Sequence, residues 1–353
     1  MRGLEIINQP GRNVPVDLFR ALAVLAVMLF HFGNLLPFGF LGVDLFFVIS
    51  GLLIGGLLIK EWEQQGTVHW GKFLLRRGRK IWPSYYWFLI AGTLLVGLLN
   101  PQEQIASVIT PPEYPRYLFF YKNYTGAPFH HAFDHVWSLC VEEHFYFFFP
   151  LVFLVLSIWK RNRQALLAAA ILAIIIAGPV FRYLVQLYTQ SRNTYGSTHN
   201  HVDALGWGVM LAYLLTYRRT WFENKARMQI ALLAGLCLFV VNTWLYFHTT
   251  SEGYKKIVFQ SVTPLAFALL IGSLYLRNIR GWKPVRLIAY YSYNLYLWHP
   301  PVALFVSYWL GVSAWGLLVY VSITFLLGVC FTVLIEEPFL RRQRASPAQP
   351  DKL

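Results

Sequence analysis

The stretch DLFRALAVLAVMLFHFGN, Asp17 to Asn34, is apolar almost throughout and has the length of a membrane-spanning α-helix. Two ionisable residues interrupt it: Arg20 near its start and His31 eleven residues later. At 100° per residue, eleven residues turn a helix by about 1100°, only about 20° more than three full turns. Arg20 and His31 therefore share one helix face, separated by roughly 16 Å along the axis. Ionisable groups inside membrane helices are costly, so this face is a candidate functional surface. The alternative for His31 is a neutral, structural histidine bonded to a neighbouring helix.

The whole chain has the composition of a membrane protein. Of its 353 residues, 57% are hydrophobic and only 13% are charged, and the mean hydropathy is +0.47. The apolar residues form long blocks, which predicts an all-α polytopic membrane protein with about ten transmembrane helices. The blocks lie at about residues 17–36, 41–59, 81–99, 136–158, 165–187, 202–217, 228–248, 257–276, 287–309 and 317–335.

The distribution of Lys and Arg predicts the orientation in the membrane. We expect a cytoplasmic N-terminal segment (1–16), a transmembrane domain (17–340) and a disordered cytoplasmic tail (341–353). With both termini cytoplasmic, most of the 30 Lys and Arg residues lie on the cytoplasmic side, as the positive-inside rule requires. Topology then explains most of the net charge of +14. Membrane lipids are expected partners, and no nucleic-acid partner is predicted. The basic residues on the outer side are Arg116, Lys122, Arg182, Arg192, Lys255 and Lys256.

Two adjacent carboxylates, Glu142 and Glu143, lie in the aromatic fourth block, within WSLCVEEHFYFFFP. Helical rise places Glu143 roughly 10 Å below the outer surface and His31 roughly 20 Å above the inner surface of a ~30 Å core, so their depths coincide. Adjacent residues point about 100° apart, so we expect one of the two glutamates to face His31. A carboxylate beside an imidazole would orient it as a general base. The alternatives are a structural ion pair or a glutamate that lines a water-filled vestibule.

A basic segment, FLLRRGRKIWP, precedes the third block. Its cations are Arg76, Arg77, Arg79 and Lys80. A positive-inside signal explains two or three of them. Four cations followed by a helix N-terminus would also bind phosphates, such as the three of coenzyme A, and Arg20 lies at the same level.

Four further residues are candidates for substrate binding. Asp44 begins the second block and either lines an outer vestibule or caps the helix, and for Asp203, at the start of the sixth block, capping is the main alternative. His299, in SYNLYLWHP, lies at about the depth of His31 and either positions substrate or is a packing residue. The aromatic residues on the outer side that could stack on a sugar face are Trp137, Tyr114, Tyr117, Tyr121 and Tyr124. The alternative for most of them is anchoring at the membrane interface.

The three cysteines have no spacing that indicates a metal or disulfide. Cys140, Cys237 and Cys330 are isolated within apolar blocks and no CxxC motif occurs, so we predict reduced packing residues. The HHAFDH and HNHVD runs also have no metal-site spacing. No metal site is predicted.

Taken together, the motifs resemble those of the membrane acyltransferase 3 family of sugar and cell-envelope O-acyltransferases, from about Val16 to Leu340. The resemblance implies ten transmembrane helices, a cytoplasmic acyl-CoA donor and an acceptor hydroxyl at the outer side. It also implies that Arg20 and His31 are essential. The motifs are the Arg-x10-His spacing, GVDLFFVISG, FLLRRGRKIWP, WSLCVEEHFYFFFP, VDALGWG, SYNLYLWHP and IEEPF.

The chain departs from the family pattern at two positions. The family's basic pair corresponds to Arg76 or Arg77 with Arg79 or Lys80, and its usual second arginine is Lys80 here. The family's common glutamine after the two glutamates is His144 here, which bears on contacts with the acceptor.

The function expected from these observations is O-acyl transfer, most simply O-acetyl transfer, in a bacterial inner membrane. Acetyl-CoA or another acyl-CoA would be the donor substrate, with no tightly bound cofactor, and a carbohydrate or glycolipid would be the acceptor. His31 would act as the general base, oriented by Glu142 or Glu143. Direct transfer and a relay through acylated His31 both remain open. The alternative function is a proton-coupled transporter or flippase of a glycan or lipid-linked sugar.

Overall fold

The computed structural model describes residues 13–99, 108–125, 130–159, 161–188 and 195–340. Nearly all of the N-terminal segment and all of the tail named above lie outside these ranges. Ten helices of 16 residues or more dominate the described residues, which contain no β-strand. They are α1 (Val14–His31), α2 (Gly42–Gln65), α3 (Trp70–Leu99), α4 (Val136–Ser157), α5 (Arg163–Tyr188), α6 (Val202–Tyr217), α7 (Lys225–His248), α8 (Phe259–Tyr275), α9 (Lys283–Leu310) and α10 (Ala314–Phe331).

Each of the ten predicted blocks corresponds to one of these helices. Eight helical segments are long and apolar enough to cross a membrane. The helix α6 is shorter, and α9 is long but is not among the eight. The prediction of an all-α polytopic membrane protein is confirmed, whereas the count of ten crossings and the side of each terminus stay predictions.

The first helix begins three residues before the predicted span. The Asn13 side chain accepts a hydrogen bond from the Val16 backbone N–H, 3.0 Å away, and so caps the helix. Pro15 lies in the first turn, where a missing N–H costs nothing. Cap chemistry, rather than hydropathy, therefore sets the start of α1.

The third helix begins much earlier than the sequence predicted. The predicted span starts at residue 81, but α3 starts at Trp70 and continues through Pro83 to Leu99. The basic segment is therefore helical, since Arg, Lys and Leu all favour helices. The expectation that a helix N-terminus follows the four cations is wrong.

The centre of the bundle is α2, which packs most extensively against α6. Buried residues make up 78% of the apolar window of the α2 span, compared with 11% for α7. Gly51 and Gly208 allow the close approach, because a Cβ on either would lie 2.0 Å from a backbone oxygen of the other helix. The helix α1, which carries Arg20 and His31, packs against α2 and α9.

The connection between α3 and α4 folds onto these helices through short elements. Tyr117 is fully buried, and its carbonyl accepts a 2.8 Å hydrogen bond from the Tyr85 hydroxyl on α3. Glu113 and His130 are both buried and hydrogen-bonded, with 2.9 Å between Oε1 and Nε2. Burial opposes ionisation of Glu113, but hydrogen bonds from His130 and Thr110 prevail and lower its pKa to about 2. A charged, hydrogen-bonded carboxylate thus anchors this connection.

Candidate active site

The helices α1 and α9 meet at two levels, each marked by a polar contact. Near the start of α1, Arg20 Nη2 donates to Ser292 Oγ at 3.1 Å. At its end, His31 Nδ1 lies 3.3 Å from His299 Nε2. Both contacts involve the same neighbouring helix, so the shared face of Arg20 and His31 is confirmed.

His31 contacts a histidine rather than a glutamate. Its ring centroid lies 4.8 Å from that of His299, and its Nδ1 also lies 3.0 Å from the Val27 carbonyl oxygen. Within the described residues, neither Glu142 nor Glu143 forms a hydrogen bond or an ion pair with His31. The expected pairing of His31 with one of these glutamates is wrong, because equal depth in the membrane does not place two helices' faces opposite each other.

The two glutamates face other groups. Glu142 lies beside the hydroxyl groups of Ser50 and Tyr146 and within Coulombic reach of Arg77. Glu143 Oε2 accepts a 3.1 Å hydrogen bond from Trp82 Nε1 on α3. The pair thus joins α4 to α2 and α3.

A cavity of about 150 Å³ lies among α1, α2, α3, α4 and α9. Three cationic side chains line it: Arg20 from α1, and Arg77 and Lys80 from α3. Glu142 lines the same cavity, and Glu336 lies within Coulombic reach of Lys80 and Arg20. Positive charge therefore exceeds negative charge around this cavity, as an anionic ligand would require.

The helical structure of the basic segment separates its four cations. Arg77 and Lys80, three residues apart on one helix face, both line the cavity, and Arg77 also lies over the Tyr146 ring at 5.7 Å. Arg76 is exposed and lies 3.3 Å from Glu61 Oε2, and Arg79 is exposed. Among the alternatives left open by the sequence, the cavity lining therefore favours Arg77 and Lys80.

Tyr296 joins the cavity to the histidines. Its side chain lines the cavity, and its ring lies 5.3 Å from that of His299 and 5.4 Å from that of His135. Its hydroxyl lies 2.6 Å from Ser138 Oγ on α4. Sequence reasoning missed Tyr296, His135 and Ser138, although Tyr296 lies three residues before His299 and so on nearly the same face.

The other predicted substrate-binding residues, Asp44, Trp137 and Asp203, are not among the residues that line this cavity. Asp44 Oδ1 is 3.6 Å from His201 Nδ1, and the Trp137 ring lies 5.0 Å from that of His201. Asp203 forms a buried ion pair with Arg182, which contacts both carboxylate oxygens. Neither aspartate caps its helix through its side chain, so that alternative is wrong for both. Their contact with a substrate stays a prediction.

The described residues contain no group of three or more His, Cys, Asp or Glu side chains that could hold a metal ion. His31, His299 and His135 do lie near one another, with 5.5 Å between the ring centroids of the last two. Their ring planes are steeply inclined to one another, at 73° for His31 with His299 and 68° for His135 with His299.

Comparison with known families covers almost the whole chain. The family profile described as Acyltransferase domain matches residues 13–337, and so includes every charged residue that lines the cavity and both histidines of the α1–α9 contact. The chain belongs to this family. The resemblance stated from the motifs is confirmed.

Several relatives of this acyltransferase-domain protein are named O-acetyltransferases. The peptidoglycan O-acetyltransferase OatA of Listeria monocytogenes is 29% identical, over 92% of this chain and 55% of the relative. The O-acetyltransferase OatA of Staphylococcus aureus is 28% identical, over 86% of this chain and 53% of the relative. A putative O-acetyltransferase of the same species is 29% identical, over 93% and 57%. The chain thus spans about half the length of these relatives. No solved structure gives a significant match.

Proposed function

We propose that this protein is an O-acetyltransferase that moves an acetyl group from acetyl-CoA on the cytoplasmic side to a hydroxyl of an extracytoplasmic glycan. The observation that carries the proposal is that one residue, Tyr296, contacts both the cationic cavity and the His31–His299 pair. Tyr296 lines the cationic cavity and packs at 5.3 Å against His299, whose Nε2 lies 3.3 Å from His31. An anion-binding cavity beside an imidazole fits a donor that carries phosphates at one end and a reactive thioester at the other.

The donor would bind through Arg20, Arg77 and Lys80. Coenzyme A carries three phosphates, and guanidinium and ammonium groups bind phosphate oxygens through charge-assisted hydrogen bonds. Glu142 would act here rather than at His31. It is a counter-charge to Arg77, and a phosphate bound to Arg77 would displace it from that role.

His31 would supply general-base catalysis. Its imidazole takes the proton of the acceptor hydroxyl while the hydroxyl oxygen attacks the thioester carbonyl carbon. The new C–O bond forms, the C–S bond breaks, and the coenzyme A thiolate leaves and recovers the proton from the imidazolium. A two-step route, in which His31 is first acylated, uses the same residues and the same donor site.

The acceptor class is inferred from the relatives. The Listeria relative is named for peptidoglycan, so we infer a cell-wall glycan hydroxyl as the acceptor and a bacterial plasma membrane as the location. The exposed Tyr124 ring, which packs on His199 at 5.7 Å, is a candidate surface for stacking on a sugar.

The function is tested by incubating the purified full-length chain in liposomes with radiolabelled acetyl-CoA and peptidoglycan fragments. An acyltransferase yields labelled glycan, whereas a transporter or flippase yields none. We expect the His31→Ala variant to insert normally and to lose transfer by roughly 10²–10⁴-fold, the usual contribution of a general base. Transfer that survives in this variant at the wild-type rate would remove His31 from the mechanism.

The donor site has a matched control on the same helix. We expect Arg77→Gln and Lys80→Gln to raise the KM for acetyl-CoA about tenfold or more, because each loses a charge-assisted contact with a phosphate. Arg79→Gln removes an equal charge from an exposed position and should leave KM within about twofold. Equal effects at all three positions would mean that the segment acts only through its net charge.

A further inference from the structure

The ring nitrogens of His31 and His299 form a short chain of hydrogen bonds. The contact at one end of this chain determines which nitrogens donate and which accept. His299 Nδ1 lies 2.7 Å from the Tyr296 carbonyl oxygen. A carbonyl oxygen can only accept a hydrogen bond, so Nδ1 of His299 carries the proton. The Nε2 of a neutral His299 is then a bare lone pair, and it points at His31 Nδ1 across 3.3 Å.

The sequence explains why that carbonyl is available. In a regular helix the Tyr296 carbonyl would accept from the backbone N–H four residues later, but that residue is Pro300, which has none. The freed carbonyl would be an unsatisfied acceptor in a buried region without another donor. The His299 side chain supplies this donor. Because His299 is 0% exposed, water does not compete for the Tyr296 carbonyl oxygen.

His31 completes the chain. Its Nδ1 faces two acceptors, the Val27 carbonyl oxygen at 3.0 Å and the bare Nε2 of His299 at 3.3 Å. This nitrogen must therefore be protonated, and a neutral His31 has its lone pair on Nε2. His31 Nε2 has no hydrogen-bond partner among the described residues, and the His31 side chain is exposed.

We infer that His299 is a positioning residue that acts together with the Val27 carbonyl oxygen to hold His31 in the Nδ1–H tautomer, so that Nε2 of His31 is the atom that takes the acceptor's proton. The inference rests on the proposed function for the last step only; the tautomer itself is a property of the resting protein. His299 contacts neither donor nor acceptor in this role, in contrast to the substrate-binding role expected from the sequence.

Two substitutions at one position separate this role from simple packing. In His299→Gln the side-chain oxygen can replace Nε2 as the acceptor for His31. In His299→Asn the shorter amide can still donate to the Tyr296 carbonyl oxygen, but its oxygen is too far from His31 to accept from it. We expect the Gln variant to keep kcat within about threefold, and the Asn variant to lose roughly 10²-fold or more in kcat with the KM for acetyl-CoA unchanged. A packing role would give equal losses in both variants or the larger loss for Gln, and either result would overturn the inference.

A second readout does not depend on activity. Nitrogen-15 NMR of histidine-labelled full-length protein, with His31→Ala used to assign the signal, reports which ring nitrogen of His31 is protonated. We expect a protonated Nδ1 in the wild type and in His299→Gln. In His299→Asn, where the Val27 carbonyl oxygen is the remaining acceptor for Nδ1, we expect a larger share of the tautomer protonated on Nε2. A wild-type signal with the proton on Nε2 would overturn the inference. If the expected tautomer is found but no acetyl transfer occurs, the proposed function fails, and only the assignment of the tautomer stands.

Discussion

Arg182 lies inside the bundle with its guanidinium paired to the Asp203 carboxylate, and the two residues are only 4% and 1% exposed. Its Nη2 also donates to Ser261 Oγ at 2.7 Å. Asp203→Asn would leave the guanidinium buried without a counter-charge. We expect this substitution to lower the free energy of unfolding by about 3–5 kcal/mol, measured from unfolding in detergent solution.

An exposed ion pair provides the control for this substitution. Arg219 and Glu223 are four residues apart, with side chains 66% and 56% exposed. We expect Glu223→Gln to cost less than about 1 kcal/mol, because solvent screens the pair. A loss as large as that of Asp203→Asn would show that the assay responds to charge in general rather than to a buried ion pair.

Glu113 makes the connection between α3 and α4 sensitive to acid only at very low pH. Its pKa in the folded protein is about 2, lowered from an ordinary value of 4.5. The stabilisation is therefore fully present above about pH 4.5 and is lost as the pH falls through about 2. We expect the stability difference between wild type and Glu113→Gln to be constant from about pH 7 to 5 and to shrink below about pH 4, measured from thermal unfolding midpoints. A difference already lost at pH 5 would contradict the assigned hydrogen bonds.

At the residue scale, helical periodicity predicted that Arg20 and His31 share a face, but it could not predict the partner of either. Eleven residues fix an angle about the helix axis, and rise fixes a depth. Neither quantity says which neighbouring helix lies opposite. Glu143 has the right depth but faces Trp82, while His299 from α9 occupies the place beside His31.

At the scale of elements, the contact between α2 and α6 depends on glycine. We expect Gly51→Ala to destabilise the protein by at least about 1–3 kcal/mol, because its Cβ would lie 2.0 Å from the Leu205 carbonyl oxygen and would force the helices apart. The measurement is thermal unfolding of the purified protein in detergent.

The control for this substitution is on the same helix. A Cβ on Gly56 would meet no described atom within 4 Å. We expect Gly56→Ala to be neutral or stabilising by up to about 1 kcal/mol, since Ala favours helix over Gly. If both substitutions have the same effect, close helix packing at Gly51 is not required for stability.

Element boundaries were less predictable than element types. Hydropathy identified all ten helices, because each carries a long apolar block. It misplaced the start of α3 by eleven residues, since Arg and Lys end an apolar block without ending a helix. The error matters for the site: helical phase within the basic segment directs Arg77 and Lys80 to the cavity and leaves Arg76 and Arg79 exposed.

At the scale of the whole molecule, the membrane orientation follows from the charge distribution and stays a prediction. An even number of crossings places both termini on one side, and the excess of Lys and Arg makes that side the cytoplasm. We expect a fluorescent-protein fusion at the C-terminus to be bright, and an alkaline phosphatase fusion in the connection between α3 and α4 to be active. An active phosphatase at the C-terminus would contradict the topology and with it the cytoplasmic donor site.

The double contact between α1 and α9 also bears on how the molecule moves. Separating these helices would break both the Arg20–Ser292 and the His31–His299 contacts. We therefore expect α1 and α9 to move as one rigid body relative to the other helices. The distance along α1 between Arg20 and His31, roughly 16 Å of helix rise, then stays fixed and selects donors by their length. A donor whose phosphates and thioester are much closer together than this could reach Arg20 or His31, but not both at once.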